Sequence, residues 1–430
     1  MLPALSKIYL LGIAVFFIIK IIKTKPEERA LQILIACGYV VGAEVFLRMT
    51  GGSFLYEASK YLVIVFCLIG VLTTRINKQS IIYVFYIFLL LPGILIAGFN
   101  ITENTTLRTA IAFNLSGPIC LGIAALFCYK LKIKYQDTHK ILLGLGLPLI
   151  TITTYLFLYT PDIRDVVTGT YSNYATSGGF GPNQVSTVLG FGMFVFTTRF
   201  FLKSPTLSLK IVNLVVLALV SYRGVVTFSR GGMITGVIIT IAFLYSYYVK
   251  SSVKNKKRTL RLIFVFVAVS GFTWLFTSIQ TDGFIDKRYA NQDAAGRVKE
   301  DLSTGRNQLI SFELEEFLKN PILGVGVGKI KELRQNEQGI EAASHNEMSR
   351  ILSEHGTLGI FAFLILLIAP LGMRYKNRSN IFFFSSYIFW FLTINHSSMR
   401  IAAPSFIYGL CLLHFVYQPS KSNLKKIKKV

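Results

Sequence analysis

Two arginines in the stretch YRGVVTFSRGG, Tyr222 to Gly232, have the chemistry to bind an anion. Arg223 and Arg230 are seven residues apart, so one continuous helix would point both side chains the same way, about 10 Å apart. If the chain turns instead, Ser229 becomes an N-cap and Arg230 enters the first helical turn, where a cation opposes the helix dipole. A bound phosphate or diphosphate would remove that conflict. The alternative is that both arginine side chains snorkel to the lipid headgroups.

A second cation of the same kind is Arg306, which follows Gly305 at the start of a predicted helix from Asn307 to Leu318. A glycine and a cation at a helix N-terminus repeat the arrangement at Arg230. Arg288 and Arg297 precede it in the same segment. The alternative for each of these loop arginines is a surface ion pair with nearby acids.

His345 lies just before a strongly apolar run and is the candidate general base, because an imidazole can accept a proton near neutral pH. Glu354 is nine residues further on, about 180° away on a straight helix, so it could support the site only indirectly. His396 and Arg400, at another turn, are weaker candidates. No histidine or cysteine has metal-ligand spacing, so the sequence predicts no metal site and no cofactor.

The segment from Tyr171 to Gln184 is rich in tyrosine, asparagine and glycine. Such side chains offer apolar faces and hydrogen-bonding edges to a sugar. The possible glycan contacts are Tyr171, Asn173, Tyr174 and Asn183. The alternative is an ordinary Gly-Pro turn before a helix. The GVGVGK stretch at Gly324 to Lys329 lacks the ending of a phosphate loop, which argues against a nucleotide site.

A membrane-embedded framework must position these groups. Of 430 residues, 53% are hydrophobic and 15% are charged. Soluble domains carry about 25% charged residues. We predict an all-α, polytopic helical bundle of about 12–13 transmembrane helices, forming one domain over residues 1–430 with a large, partly helical loop at 281–345. The apolar runs are 6–22, 29–48, 59–74, 79–99, 109–128, 140–158, 184–202, 206–228, 230–249, 261–280, 355–373, 380–395 and 401–417.

The formal charge of +24 is unevenly distributed along the chain. One alternating set of loops, with the C-terminal tail, holds 27 of the 45 basic residues and 3 of the 21 acidic ones. By the positive-inside rule this set is cytoplasmic, so the C-terminus is cytoplasmic and the 281–345 loop is on the outer side. The charge therefore indicates membrane lipids as partners and not nucleic acid.

The motifs SRGG, GRNQ, NPILGVGVG and HNEMSRILSEHGTLGIF follow one another in this order between Tyr171 and Phe361. This combination resembles the O-antigen ligase and O-antigen polymerase superfamily of bacterial membrane glycosyltransferases. The resemblance implies an inverting, metal-independent transfer of glycan from undecaprenyl diphosphate to an acceptor hydroxyl, at the periplasmic face of the inner membrane. It implies that His345 is the essential histidine, that Arg230 and Arg306 bind the diphosphate, and that Arg223 assists them.

The acceptor separates the alternatives within this class. A ligase uses lipid A-core and a polymerase uses a second lipid-linked glycan; the HN motif favours the ligase. A flippase for the same lipid-linked glycan is a further alternative. It would place charges at mid-membrane, whereas these candidates cluster at one face.

Overall fold

The computed structural model of the protein describes residues 3–100, 106–202, 206–300 and 305–417. Its elements are almost all helices, which confirms the predicted all-α class. The helices are α1 Pro3–Lys23, α2 Pro26–Met49, α3 Ala58–Thr73, α4 Ile81–Asn100, α5 Leu107–Cys128, α6 Thr138–Tyr159, α7 Ile163–Val166, α8 Pro182–Leu202, α9 Leu207–Val225, α10 Arg230–Lys250, α11 Val253–Gln280, α12 Phe284–Tyr289, α13 Arg306–Lys319, α14 Lys329–Gln338, α15 Glu347–Lys376, α16 Phe383–His396 and α17 Ala402–Cys411.

Each of the thirteen apolar runs coincides with a helix, but the helices differ in length. Among the described residues, ten helices are long enough and apolar enough to cross a membrane. The other three runs form the shorter helices α3, α16 and α17. The protein is therefore a multi-pass membrane protein, and its described residues form fewer full-length spanning helices than the thirteen apolar runs predict.

The last apolar run is the clearest departure from prediction. The expected helix over 401–417 ends at Cys411, and the chain continues as strand β2, His414–Val416. This strand pairs in parallel with β1, Lys132–Lys134. The pairing brings the end of the described chain beside the segment around β1, whose lysines the charge pattern assigns to the cytoplasmic side.

Close packing of α8 against α10 determines how the SRGG motif is presented. A Cβ on Gly232 would collide with the backbone of Ser186 and Thr187 on α8, and a Cβ on Gly231 would lie 2.7 Å from the ring of His396. These glycines thus allow helices to approach one another.

The long loop is folded onto the membrane helices through α12, α13 and α14. Helix α13 extends one residue beyond each end of the predicted helix from Asn307 to Leu318. Its buried face combines Leu309 and Phe312 with the carboxylates Glu313 and Glu316. Loop and membrane helices therefore share polar as well as apolar contacts.

Candidate active site

Arg230 is held at the start of α10 by a turn whose polar groups are all engaged. The N-cap residue Ser229 makes no side-chain cap. Its hydroxyl instead donates to the Asn183 Oδ1 at 2.7 Å, which ties the turn to the beginning of α8. The Arg230 guanidinium donates to the Arg288 carbonyl at 3.4 Å and to the Asn291 Oδ1 at 3.3 Å. Arg230 thus bridges the membrane helices and the folded loop.

Arg288 lies beside Arg230 and is buried. Its Nε donates to the Phe228 carbonyl at 2.9 Å. Phe228 has a φ of +57° in the turn before α10, which exposes this carbonyl to the arginine. Burial, and then the charges of Arg230 and Arg306, hold the pKa of Arg288 below its usual value. The sequence identified Arg288 as a cation of interest but gave it no role.

Arg306 completes a group of three guanidiniums. It is the first residue of α13, after a left-handed Gly305 with a φ of +82°. Burial and the nearby Arg230 lower the pKa of Arg306. Within the described residues, neither Arg288 nor Arg306 forms an ion pair with a carboxylate. Like charges are therefore gathered in a partly desolvated place, which an anion would stabilise.

His345 lies two residues before α15, in the field of these cations. Burial, followed by the charges of Arg306, Arg400 and Arg334, lowers the pKa of His345 to about 4. The imidazole is therefore neutral at pH 7, which is the state that can accept a proton. The next residue, Asn346, caps α15 by accepting from the backbone N–H groups of Met348 and Ser349. The cap fixes where the helix begins relative to the histidine.

A buried carboxylate, Glu313 of α13, holds the segment that carries His345. Glu313 pairs with Arg334 of α14, at 2.7 Å, and accepts hydrogen bonds from the hydroxyls of Ser344 and Ser349. Arg334 also donates to the Ala342 carbonyl at 2.7 Å. The residues on both sides of His345 are thus tied to α13 and α14, which positions the imidazole through its backbone.

Arg400 and His396 reach the same region from the turn between α16 and α17. The Arg400 guanidinium donates to the Ser344 carbonyl at 2.5 Å and stacks 4.2 Å from the centroid of the Phe113 ring. The His396 Nε2 lies 3.1 Å from the hydroxyl of Thr187 on α8. Both were weak candidates from sequence, because only the fold brings this turn beside residue 345. We call Arg230, Arg288, Arg306 and Arg400 the cation cluster, and His345 lies beside it.

The GVGVG stretch packs helices together and its backbone N–H groups are all used within the protein. Val325 and Gly326 donate to carbonyls of α15, and Val327 donates to the Gly93 carbonyl of α4 at 3.0 Å. Gly328 donates to the Glu354 carboxylate at 2.9 Å. The left-handed Gly326, φ +96°, would place a Cβ 2.6 Å from the backbone of Ala97. The expectation that this is not a phosphate loop fits these contacts.

Part of the chain is similar to a known protein family. Residues 213–364 match the family described as O-antigen ligase. This match supports the predicted resemblance to the O-antigen ligase and polymerase superfamily. The matched range contains Arg230, Arg306 and His345, together with the helices that present them. No curated protein and no solved structure gives a significant match.

Two predicted site residues have other contacts in the structure. Arg223 is buried and donates to the Thr160 hydroxyl at 2.8 Å and the Thr176 carbonyl at 2.9 Å. The chain turns between Arg223 and Arg230, so the two side chains belong to separate sets of contacts. Glu354 pairs with Arg350 at 2.5 Å, which places its carboxylate in the GVGVG contact and not beside His345.

The four possible glycan contacts divide into two pairs. Tyr171 and Tyr174 are exposed, and the Lys299 ammonium lies 4.2 Å from the centroid of the Tyr171 ring. Asn173 holds its own loop together through the Val166 carbonyl, and Asn183 accepts from Ser229. The tyrosines are thus accessible to a ligand, while the asparagines shape the turns behind them. A role in glycan contact stays a prediction for all four.

Proposed function

We propose that the protein is a glycosyltransferase that moves a glycan from undecaprenyl diphosphate to an acceptor hydroxyl. The observation that carries the proposal is the cation cluster around a neutral His345. Buried and half-buried guanidiniums offer several hydrogen-bond donors of fixed geometry to a diphosphate. A neutral imidazole beside them offers a proton acceptor. Leaving-group stabilisation and acceptor deprotonation are the two requirements of this reaction.

The proposed step balances within one displacement. The acceptor oxygen attacks the anomeric carbon as its proton passes to the His345 imidazole. The bond from the anomeric carbon to the diphosphate oxygen breaks, and the diphosphate leaves with the electron pair. Arg230, Arg306 and Arg288 stabilise the negative charge that grows on it. Attack opposite the leaving group inverts the anomeric centre. Since guanidiniums supply the positive charge, the proposal requires no metal ion and no cofactor.

Binding of the donor would itself change the pKa of His345. Without donor, the pKa of His345 is about 4, and Arg306 is the largest charge that lowers it. A diphosphate between the arginines and the histidine would offset that charge and raise the pKa of the imidazole. His345 would then become an effective base only when the donor is in place, which protects the lipid carrier from unproductive reaction.

An apolar groove supports the proposal that the donor is linked to a lipid. It has a volume of about 220 Å³ and lies between α9, α10 and α11, with Tyr289 at its lining. Tyr289 follows Arg288, and the charges of Arg230 and Arg288 act on its hydroxyl. An isoprenoid chain in this groove would bring its diphosphate to the cation cluster. The proposed location is a bacterial inner membrane, with the cluster facing the periplasm.

We prefer the ligase reaction, with lipid A-core as acceptor, and keep the polymerase as the alternative since both use the same residues. The test is reconstitution of the purified protein in liposomes with undecaprenyl-diphosphate glycan and either acceptor. We expect one undecaprenyl diphosphate released for each new glycosidic bond. Lipid-linked glycan that crosses the bilayer without a new bond would contradict the proposal and indicate a flippase. The acceptor that is used would distinguish ligase from polymerase.

A further inference from the structure

A cleft of about 680 Å³ opens beside the segment that carries His345. Small-molecule pockets span about 300–1,000 Å³. One wall is the beginning of α5, the other is α14, and the cleft reaches Ala343 and Ser344. None of its lining residues belongs to the cation cluster. The cleft is therefore a second space that ends next to the candidate base.

The two walls present hydrogen-bonding groups at helical spacing. On α14, Lys331 and Gln335 are four residues apart and share one face, while Ile330 and Arg334 of the same helix are buried. On α5, Thr109 and Asn114 face the cleft beside the ring of Phe113. Hydroxyls, amides and an aromatic ring are the groups that bind the edges and faces of sugars.

The lining of the cleft has more carboxylates than cations, whereas the cation cluster is positively charged. Its charged lining residues are Lys331, Glu332 and Glu341. Lys331 pairs with Glu341 at 2.9 Å, and Glu332 pairs with Lys329 at 2.8 Å. Among the described residues, the lysine of the lining is thus already balanced by a carboxylate, and no excess positive charge remains for a phosphate.

The cleft is also connected to the catalytic region through shared side chains. Phe113, which lines the cleft, stacks on the Arg400 guanidinium, and that guanidinium holds the carbonyl of Ser344. Ser344 precedes His345. A ligand in the cleft would therefore lie against the residue next to the base, where an acceptor hydroxyl must come.

We propose that this cleft binds the acceptor glycan and selects uncharged sugars over phosphorylated ones. The inference rests on the proposed transferase function, and it goes beyond it by assigning the acceptor a separate site with its own chemistry. Donor and acceptor are then distinguished by charge: the diphosphate is drawn to the guanidiniums, and a neutral sugar occupies the carboxylate- and amide-lined cleft.

The test uses the full chain in liposomes, with the acceptor that the reconstituted reaction accepts. Gln335→Trp fills the cleft from α14, and Thr109→Trp fills it from α5. Gln338→Trp is the matched control, since Gln338 is exposed on the same helix and does not line the cleft. We expect both cleft variants to raise the acceptor KM about tenfold or more, as a loss of about 1.4 kcal/mol of binding implies. The donor KM should stay within about twofold of wild type.

A second arm compares the same acceptor with and without a phosphate on its terminal sugar. We expect kcat/KM to fall about tenfold or more for the phosphorylated form. Two results would contradict the proposal that the cleft binds the acceptor, while leaving the proposed function intact. One is equal use of both acceptor forms, and the other is an unchanged acceptor KM in both tryptophan variants of an active enzyme. A wild-type protein that forms no glycosidic bond with any acceptor would overturn both.

Discussion

Two groups of arginines are buried or half-buried in this protein, and they differ in whether a carboxylate of the protein pairs with them. Arg48, Arg334 and Arg350 each pair with a buried glutamate at 2.7 Å or less. Arg288, Arg306 and Arg400 form no such pair within the described residues, and burial lowers the pKa of all three. We infer that an arginine paired with a carboxylate of the protein stabilises the fold, and we propose that the arginines without such a pair bind an anion supplied by the substrate.

One helix carries both kinds of group, which makes the contrast local. Helix α13 begins with Arg306 of the cation cluster and carries Glu313, the partner of Arg334, two turns later. We propose that the first binds the donor anion, while the second holds the segment around His345 through Ser344 and Ser349. Substitutions on this helix should therefore act either on donor binding, at Arg306, or on the position of His345, at Glu313.

The largest effect is expected for Arg350→Leu, which leaves Glu347 and Glu354 buried without their cation. Breaking a buried ion pair costs roughly 3–5 kcal/mol. We expect a large fall in the temperature of unfolding and poor membrane yield. Thermal unfolding of the purified protein measures this, with Arg108→Leu, at an exposed site on α5, as the control. Wild-type stability in Arg350→Leu would contradict the division into two groups.

For Arg306→Ala we expect a loss of transfer activity without a loss of stability. Transfer should fall about 10²–10³-fold, the usual cost of removing one charge-stabilising donor. Stability should be unchanged or slightly higher, because a like charge has left a crowded region. Single-turnover transfer and thermal unfolding test the two parts, with Arg297→Ala as the control, an exposed arginine paired with Asp293. A variant that unfolds more easily would move Arg306 into the structural group.

Glu313→Gln should have an intermediate effect on rate, because it loosens the backbone on both sides of His345. A displacement of about 1 Å can cost about 10²-fold, and we expect a loss of about 10–100-fold in kcat. Donor binding should be unchanged, since the cation cluster is intact. Glu315→Gln, at an exposed position on the same helix, is the matched control. Loss of donor affinity in Glu313→Gln would show that the carboxylate does more than position the histidine.

The smallest effect is a shift in the pH profile of Arg400→Gln. Arg400 helps to lower the pKa of His345 to about 4, so the acid limb of kcat/KM should lie near pH 4 in the wild type. Removing this positive charge raises the pKa, and we expect the limb to move upward by roughly one pH unit. Arg297→Gln should leave it in place. A downward shift would contradict the electrostatic account.

The same pKa has a consequence for stability. An unfolded chain protonates this histidine near pH 6.5, while the folded state resists protonation until about pH 4. The group therefore has no effect on stability above about pH 6.5, and it destabilises the fold progressively as the pH falls from 6.5 to 4. In Arg400→Gln this destabilised range should be narrower.

Hydropathy predicts the membrane helices, and local motifs predict the arginines at the starts of α10 and α13. The apolar runs locate the helices, and the residues before Arg230 and Arg306 predict where α10 and α13 begin. The match of residues 213–364 to the O-antigen ligase family agrees with the order of the motifs. These features depend on neighbours within a few residues, which a sequence displays directly.

Contacts between distant parts of the chain could not be predicted in this way. Arg400 reaches Ser344, 56 residues away, and Arg350 reaches the Asn114 carbonyl, 236 residues away. Arg223 shares a motif with Arg230 yet bonds to the segment near Thr160 and Thr176, since four residues of turn separate the two helices. The last helix ends early because β2 pairs with β1, and no window of hydropathy contains that pairing.

The most direct test of the central claim is His345→Ala in the reconstituted transfer reaction, with donor binding measured on the same preparation. His139→Ala, which lies at the start of α6, is the histidine control. The account predicts that His345→Ala inserts, binds undecaprenyl diphosphate within about threefold of wild type, and transfers about 10²–10⁴-fold more slowly, the usual range for a lost general base. Transfer at the wild-type rate by a normally folded His345→Ala protein would contradict it.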